Sequence, residues 1–311
     1  MHHQEVTPRG TTLVVGADSG IGKRLLTSLA RAGQTVIGTT RRDASTPPTC
    51  CHLDLACDPA TWQLPLHVDV AYLCAAVTAL ATCEAHPAQT ALINVERTCL
   101  LAHMLVERGA LVVFLSTNLV FDGQSPYRNA HDSVCPTTAY GWQKAEAERA
   151  LLAFGESVAV VRLTKVLAPE TPLLHMWGTE LRHGRCITPF ADMVMAPVPL
   201  AFVCATLQQI GQRQLSGIFQ VSGAHDLSYV EAALIGARSL GANPALIRPS
   251  TAMASGQVKV APPRHTTLDA TRIGTTLGLV APPVEATLAA LFAAQSSVTY
   301  HVVPETRGRA S

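Results

Sequence analysis

Charged side chains are scarce in this sequence. Asp, Glu, Lys and Arg make up 14% of its 311 residues, and the formal net charge at pH 7 is +1. Proteins drawn to nucleic acids or anionic membranes by electrostatic attraction carry a clear excess of positive charge. The near-neutral balance therefore predicts that neither a nucleic acid nor a membrane surface is a partner.

Long apolar runs are lacking too. The most apolar stretch, residues 70–83, is shorter than the run of about 18 residues that a membrane-spanning helix needs. The first ten residues contain no apolar core of the signal-peptide kind. Both features predict a cytoplasmic protein.

No cysteine pattern indicates a disulfide framework or a metal centre. The nine cysteines are scattered and odd in number, and no Cys-x-x-Cys or His-x-x-x-His pair occurs. The adjacent Cys50 and Cys51 suggest a redox pair. Two small apolar side chains filling a strand are the simpler interpretation.

The sequence does contain an alternation of apolar runs and amphipathic segments. Strands are predicted at 11–15, 34–39, 49–53, 69–74, 110–115 and 157–162, and helices at 20–32, 88–108 and 137–154. Continuous apolar strands separated by helices predict an α/β fold, a doubly wound parallel sheet of the Rossmann type. Such sheets bind ligands beyond the carboxyl ends of their strands.

The pattern loosens after about residue 165, where prolines become frequent. We expect a dinucleotide-binding domain over 10–168 and a smaller C-terminal substrate-binding lobe over 169–296. A late strand near 217–222 is predicted to return to the large sheet. Helices are predicted at 227–240 and 283–294, and residues 297–311 are expected to form a loose tail.

A glycine-rich loop follows the first strand. It contains Gly16, Ser19, Gly20, Ile21 and Gly22. Glycine permits a tight turn and a close approach to a pyrophosphate, and the N-terminus of the next helix offers unpaired N–H groups to the anion. The position between a strand and a helix predicts a dinucleotide site, with a purely structural glycine turn as the alternative.

The end of the second strand bears on the choice of dinucleotide. An NAD site usually has an acid there, but this chain has Arg41 and Arg42, with no acid before Asp43. Because the guanidinium fork matches phosphate, we predict NADP(H); two arginines in a solvated loop are the alternative. We expect Asp54 and Leu55 at the adenine end, although a plain turn aspartate explains Asp54 equally well.

The catalytic candidates lie in two later segments. Thr117 follows an apolar strand, and Tyr140 and Lys144 are four residues apart on one face of the next helix. Hydride reduction of a ketone leaves an alkoxide that needs a proton, which a tyrosine can supply if a nearby ammonium lowers its pKa. A threonine hydroxyl can hold the carbonyl oxygen. We therefore predict Thr117, Tyr140 and Lys144 as the catalytic residues, with Lys144 also binding the nicotinamide ribose.

The same segments resemble a known family. Residues 116–123 (STNLVFDG), the later Pro126-Tyr127 and residues 140–148 (YGWQKAEAE) resemble the signature of extended short-chain dehydrogenases/reductases, and within them of the dTDP-4-dehydrorhamnose reductases. Residues 217–231 (GIFQVSGAHDLSYVE) are similar to that family's C-terminal region. The resemblance implies NADPH-dependent reduction of the ketone of a nucleotide-linked 4-keto-6-deoxysugar.

The resemblance also implies roles for further residues. Ala75 and Ala76 would line the cofactor, and Asn94 would be a structural or cofactor-side residue. Residues 162–166, beginning with Arg162, would lie near the nicotinamide and the substrate. The family also suggests a homodimer that pairs through the helices predicted at 88–108 and 137–154.

Departures from the family's pattern bear on the substrate. The phosphate loop has the spacing Gly-x-x-x-Gly-x-Gly, and Asn118 replaces the usual aspartate. A dehydratase would need an acid pair directly after Thr117, where Asn118 and Leu119 stand, and an epimerase usually retains NAD. A non-catalytic regulatory subunit similar to the β subunit of methionine adenosyltransferase is the alternative from another class.

Substrate contacts are expected in the C-terminal lobe. The candidates are Arg182, Arg185, Arg248 and Arg264 for a diphosphate, and His175, Trp177 and His183 for a sugar ring. Ordinary surface arginines and a core tryptophan are the simpler interpretations.

Overall fold

The computed structural model describes residues 10–42, 50–255 and 262–295. Its strands, in chain order, are β1 (Thr11–Val15), β2 (Thr35–Thr40), β3 (Cys50–His52), β4 (Val70–Leu73), β5 (Leu111–Thr117), β6 (Val158–Leu163), β7 (Lys165–Leu167), β8 (Val194–Met195), β9 (Pro197–Pro199), β10 (Gly217–Val221) and β11 (Leu227–Ser228). Its α-helices are α1 (Gly20–Arg31), α2 (Leu80–Ala85), α3 (Pro87–Ala91), α4 (Thr98–Val106), α5 (Ala139–Leu152), α6 (Pro172–Arg182), α7 (Leu200–Gln212), α8 (Tyr229–Leu240), α9 (Thr271–Leu277) and α10 (Val284–Gln295).

The main sheet has seven strands in the order β10-β6-β5-β4-β1-β2-β3. Every neighbouring pair in it is parallel. The chain winds outward from β1 in one direction through β2 and β3, and then in the other through β4, β5 and β6. The predicted doubly wound parallel sheet is confirmed.

Helices cover both faces of this sheet. Side chains of successive strand residues point to opposite faces, so Val14 joins the core under α1 and α7, whereas Leu13 and Val15 join the core under α4 and α5. In α1, Leu25 and Leu29 are four residues apart and both fully buried, as the amphipathic pattern predicts.

The helix predicted at 88–108 differs from the observed structure. Residues Pro87–Ala91 and Thr98–Val106 are α-helical, but Leu92–Arg97 between them form a π-helix. The Thr98 hydroxyl donates to the carbonyl of Ile93, five residues back, at 2.8 Å. A π-helical segment widens the turn, and such segments often occur at functional sites.

A third core lies outside the main sheet. It joins α6, α8 and α10 through buried residues that include Leu174, Trp177 and Phe292. The pairs β7–β9 and β8–β11 form two small sheets, while Gly217–Val221 pairs with β6 at the edge of the main sheet. The predicted tail, 297–311, lies outside the described residues. In the described ranges no helix is long and apolar enough to cross a membrane.

Candidate active site

The phosphate loop and the loop after β4 meet where the winding of the sheet reverses. The N–H of Cys74 donates to the carbonyl of Val15 at 2.9 Å, which aligns the ends of β4 and β1. Gly16 has φ +79°, and a Cβ there would lie 2.8 Å from the backbone nitrogen of Ala75. Ala75 thus borders the phosphate loop, in the crevice where doubly wound sheets bind nucleotides, and Ala76 is the next residue of the same loop.

The loop forms the N-terminal end of α1. Ser19 is the N-cap, and its hydroxyl accepts from the N–H of Gly22 at 3.0 Å. A Cβ on Gly22 would overlap the carbonyl oxygen of Gly16, whereas one on Gly20 would have no atom within 4 Å. Open space at Gly20, beside the unpaired first N–H groups of the helix at Gly20 and Ile21, fits a pyrophosphate.

The two arginines at the end of β2 are both exposed. The Arg42 Nε lies 3.4 Å from a carboxylate oxygen of Asp18, and the Thr40 hydroxyl is also 3.4 Å from that oxygen. Asp18 therefore places an acid beside Arg42, which the sequence patterns do not indicate. Asp43 lies outside the described residues.

Asp54 and Leu55 occupy a turn after β3. Asp54 accepts from the N–H of Ala56 at 2.8 Å through its side chain and from the indole of Trp62 at 2.9 Å through its carbonyl. Leu55 is buried in the core under α4 and α5. The bond from Ala56 to the Asp54 side chain is the one expected of a plain turn aspartate, the alternative interpretation of this residue.

Asn94 holds the loop after β4 to the helices. Its side chain accepts from the N–H of Val77 at 2.8 Å and donates to the same residue's carbonyl at 2.9 Å. It also donates to Gln143 at 2.7 Å, and Gln143 in turn donates to the Thr90 hydroxyl at 2.8 Å. Asn94 is 1% exposed, so it holds the loop after β4 from the interior of the protein.

Strand β5 and helix α5, which carry the catalytic candidates, touch through two short turns. The hydroxyl of Thr117, at the end of β5, accepts from the N–H of Leu119 at 3.2 Å. At the start of α5, the Thr138 hydroxyl accepts from the N–H of Gly141 at 3.1 Å. A Cβ on Gly141 would overlap the carbonyl oxygen of Leu119, so only glycine allows this approach. The turn bearing Tyr140 thus packs against the turn that follows Thr117.

Lys144 lies under Tyr140 and is 3% exposed. Its ammonium donates to the carbonyl of Leu115 at 2.7 Å and lies 4.2 Å from the centroid of the Phe114 ring. Burial lowers the pKa of Lys144 from 10.5 to about 8. The strand that carries Thr117 therefore also fixes the ammonium.

The expectation that Lys144 lowers the pKa of Tyr140 is wrong for this structure. Burial, with a smaller contribution from the nearby Cys83, raises the pKa of Tyr140. The Lys144 ammonium is 6.0 Å from the centroid of the Tyr140 ring and is hydrogen-bonded to Leu115. Burial of the phenol therefore dominates, and Tyr140 is held in its neutral form.

Arg162 is part of a buried ion pair. Its guanidinium binds the carboxylate of Glu148 with N–O distances of 2.6 to 3.1 Å, and both side chains are 3% exposed. The pairing directs Arg162 toward α5, so its side chain is not a candidate substrate contact.

The predicted substrate contacts in the C-terminal region differ in their exposure to solvent. Trp177 is 3% exposed and packs edge-on against Tyr229, which is the core interpretation. Arg185 pairs with Glu180 through two hydrogen bonds, of 2.5 and 2.8 Å. Arg185 is exposed despite this pairing, as are His175, Arg182, His183, Arg248 and Arg264.

A family model described as the RmlD substrate binding domain matches residues 10–297. The chain belongs to this family. The match covers the phosphate loop, the catalytic candidates and nearly all of the C-terminal lobe of this RmlD-family protein.

Three curated proteins resemble this RmlD-family chain. One, named "Probable low-salt glycan biosynthesis reductase Agl14", from Haloferax volcanii, is 26% identical over 293 residues, covering 91% of this chain and 97% of the relative. The dTDP-4-dehydrorhamnose reductase of Streptomyces griseus is 29% identical over 277 residues, covering 85% and 87%. The methionine adenosyltransferase 2 subunit beta of Bos taurus is 27% identical over 213 residues, covering 65% and 63%.

A solved structure shows the same fold. The dTDP-4-dehydrorhamnose reductase of Bacillus anthracis, in complex with NADP, matches with a TM-score of 0.78 and 18% identity. The alignment covers 92% of this chain and 98% of that one.

Proposed function

We propose that this RmlD-family protein reduces the ketone of a nucleotide-linked 4-keto-6-deoxysugar with NADPH. The observation that carries the proposal is the packing of the Tyr140 turn against the turn after Thr117, directly above the buried ammonium of Lys144. The chemistry of ketone reduction requires a proton donor and a group that holds the oxygen, and the ammonium is near enough to hold the nicotinamide ribose beside them.

The reductase relatives support the proposal. Proteins named as reductases from Haloferax volcanii and Streptomyces griseus align with most of this chain, including both catalytic segments. The NADP in the Bacillus anthracis structure supports the choice of coenzyme, together with the arginine pair at the end of β2. The sugar and its nucleotide are inferred from the names of these relatives.

The residues of the crevice have distinct roles in holding the coenzyme. The N–H groups at Gly20 and Ile21 would bind the pyrophosphate, and Arg41 and Arg42 the 2′-phosphate. Lys144 would hold the nicotinamide ribose. When bound, the reduced nicotinamide supplies the hydride.

The hydroxyls of Thr117 and Tyr140 would act on the ketone oxygen. The Thr117 hydroxyl donates a hydrogen bond to it, and the Tyr140 hydroxyl transfers its proton to it as the C–H bond forms at the carbonyl carbon. Solvent then returns a proton to the phenolate. A phenol whose pKa is raised by burial stays protonated at neutral pH, which is the state that reduction requires.

The decisive experiment compares Tyr140→Phe with the wild-type protein. The substitution removes one hydroxyl and keeps the buried ring, so the fold and NADPH affinity should change little. Turnover of a dTDP-4-keto-6-deoxysugar, followed by NADPH absorbance, should fall by about 10²–10⁴-fold. Near wild-type turnover in this variant would exclude Tyr140 as the proton donor.

The regulatory alternative has its own support, because the bovine methionine adenosyltransferase 2 subunit beta aligns with 65% of this chain. It predicts tight NADPH binding and no consumption of NADPH with any keto-sugar nucleotide. An epimerase would interconvert sugars without net consumption of coenzyme. The same assay, with product analysis, separates all three functions.

A homodimer is a further proposal, and it rests on the family. The helices concerned are α4 and α5. Light scattering coupled to size-exclusion chromatography would give the mass in solution.

A further inference from the structure

We propose that Glu148 and Arg162 are positioning residues that fix the catalytic helix α5 against the strand of Thr117 and against the loop that follows it. The inference rests on the proposed reduction for its kinetic consequence, but not for its geometry. Neither side chain touches the reacting atoms in the proposed mechanism.

The pair is the centre of a buried polar chain. Both Glu148 oxygens accept from the Arg162 Nε, at 3.0 and 3.1 Å, and one also accepts from Nη2 at 2.6 Å. The Ser116 hydroxyl donates to Glu148 at 2.5 Å. The second terminal nitrogen of Arg162 donates to the carbonyl of Ala130 at 3.0 Å. Three separate segments are thereby tied to α5.

Two members of this polar chain lie close to catalytic candidates. Ser116 directly precedes Thr117, and Glu148 lies one helical turn beyond Lys144. Ser116 and Arg162 are register partners on β5 and β6, so their side chains lie side by side on the face covered by α5. A shift of Glu148 along or around the helix axis would carry Lys144 and its turn with it.

A buried ion pair of this kind is not explained by its contribution to the free energy of unfolding. Removing two charges from water costs free energy that their attraction only offsets when the geometry is good, and well-packed apolar residues often do as well. An apolar pair makes no directional hydrogen bonds. The fork of Arg162 and the two oxygens of Glu148 admit one relative orientation of helix and strand.

The electrostatics of Lys144 agree with this role. Burial lowers the pKa of the ammonium, whereas the Glu148 carboxylate opposes that effect. Cys74 and Cys99 act on the pKa of Lys144 in the same direction as Glu148, each with a smaller effect. Glu148 thus bears on both the position and the protonation of the lysine.

The test replaces the pair with apolar residues of similar size. Single substitutions leave an unpaired buried charge and are expected to fold poorly, so the informative variant is the double Glu148→Leu/Arg162→Met. We expect an unfolding midpoint close to wild type, kcat lowered at least tenfold, and KM and NADPH affinity within about twofold. The matched control removes the exposed pair of the same helix, Glu146→Leu/Arg149→Met, and should leave kcat unchanged.

A second readout does not depend on activity. Amide hydrogen exchange in residues 118–144 should accelerate in the double variant of the buried pair, while exchange in α8 stays at the wild-type rate. An active wild type whose double variant keeps full kcat overturns the inference. If the wild-type protein has no reductase activity, only the proposed function is overturned. Hydrogen exchange then tests the positioning role, and unchanged protection of residues 118–144 in the double variant would overturn that role too.

Discussion

The buried ammonium of Lys144 makes a quantitative prediction about pH and stability. In the folded protein the pKa of Lys144 is lowered from 10.5 to about 8 by burial. Between these two values the folded chain holds a neutral amine while the unfolded chain still binds a proton. Folding then releases a proton, so stability rises with pH across this window.

The magnitude follows from the two pKa values. At about 1.4 kcal/mol for each tenfold change in proton affinity, the difference between 10.5 and about 8 corresponds to about 3 kcal/mol. Below pH 8 both states bind the proton, and the full cost of the buried ammonium is present. Above pH 10.5 both states are neutral, and that cost is gone.

The assay compares Lys144→Met with wild type by urea unfolding at several pH values. Methionine cannot titrate, and the other titrating groups are common to both proteins, so their contributions cancel in the difference. Between pH 8 and 10.5, the free energy of unfolding of the wild type should rise by about 3 kcal/mol relative to that of the variant. Lys23→Met, at an exposed position of α1, is the matched control for the lysine-to-methionine change. A difference between Lys144→Met and wild type that does not vary with pH would refute the desolvation of this ammonium.

Three further predictions concern the cofactor site and the catalytic helix. Arg41→Ala, alone or with Arg42→Ala, should erode the preference for NADPH over NADH; an unchanged ratio of the two Kd values would show that the arginines do not read the phosphate. Asn94→Ala should lower the free energy of unfolding by about 1–3 kcal/mol in urea, because the backbone of Val77 and the buried amide of Gln143 lose a partner. Gly141→Ala should lower it by about 1–3 kcal/mol and reduce kcat, since the new methyl group displaces Leu119 from α5; wild-type stability and kcat would contradict the close packing seen here.

Several features of the site are local in the chain, and the sequence predicts them well. The glycine spacing from Gly16 to Gly22 implies a tight turn at a helix start, and the structure has both. Tyr140 and Lys144 lie on one helical face because four residues complete about one turn. The parallel sheet follows from apolar strands that alternate with helices.

Features that depend on contacts between distant segments are mispredicted or missed. The helix predicted at 88–108 contains a π-helical segment where Asn94 reaches the loop of Val77. The sequence patterns also give no sign that Leu55 packs in the core or that Arg162 pairs with Glu148. None of these partners is close in sequence, so no local pattern could reveal them.

By itself, the sequence determined which chemical groups are present and on which elements they lie, because capping, periodicity and strand patterning act over a few residues. Only the tertiary structure decided the protonation of those groups. The phenol of Tyr140 stays neutral and the ammonium of Lys144 holds its proton weakly because α5 and β5 together exclude water from both. Desolvation depends on everything that surrounds a group, and that is known only once the chain has folded.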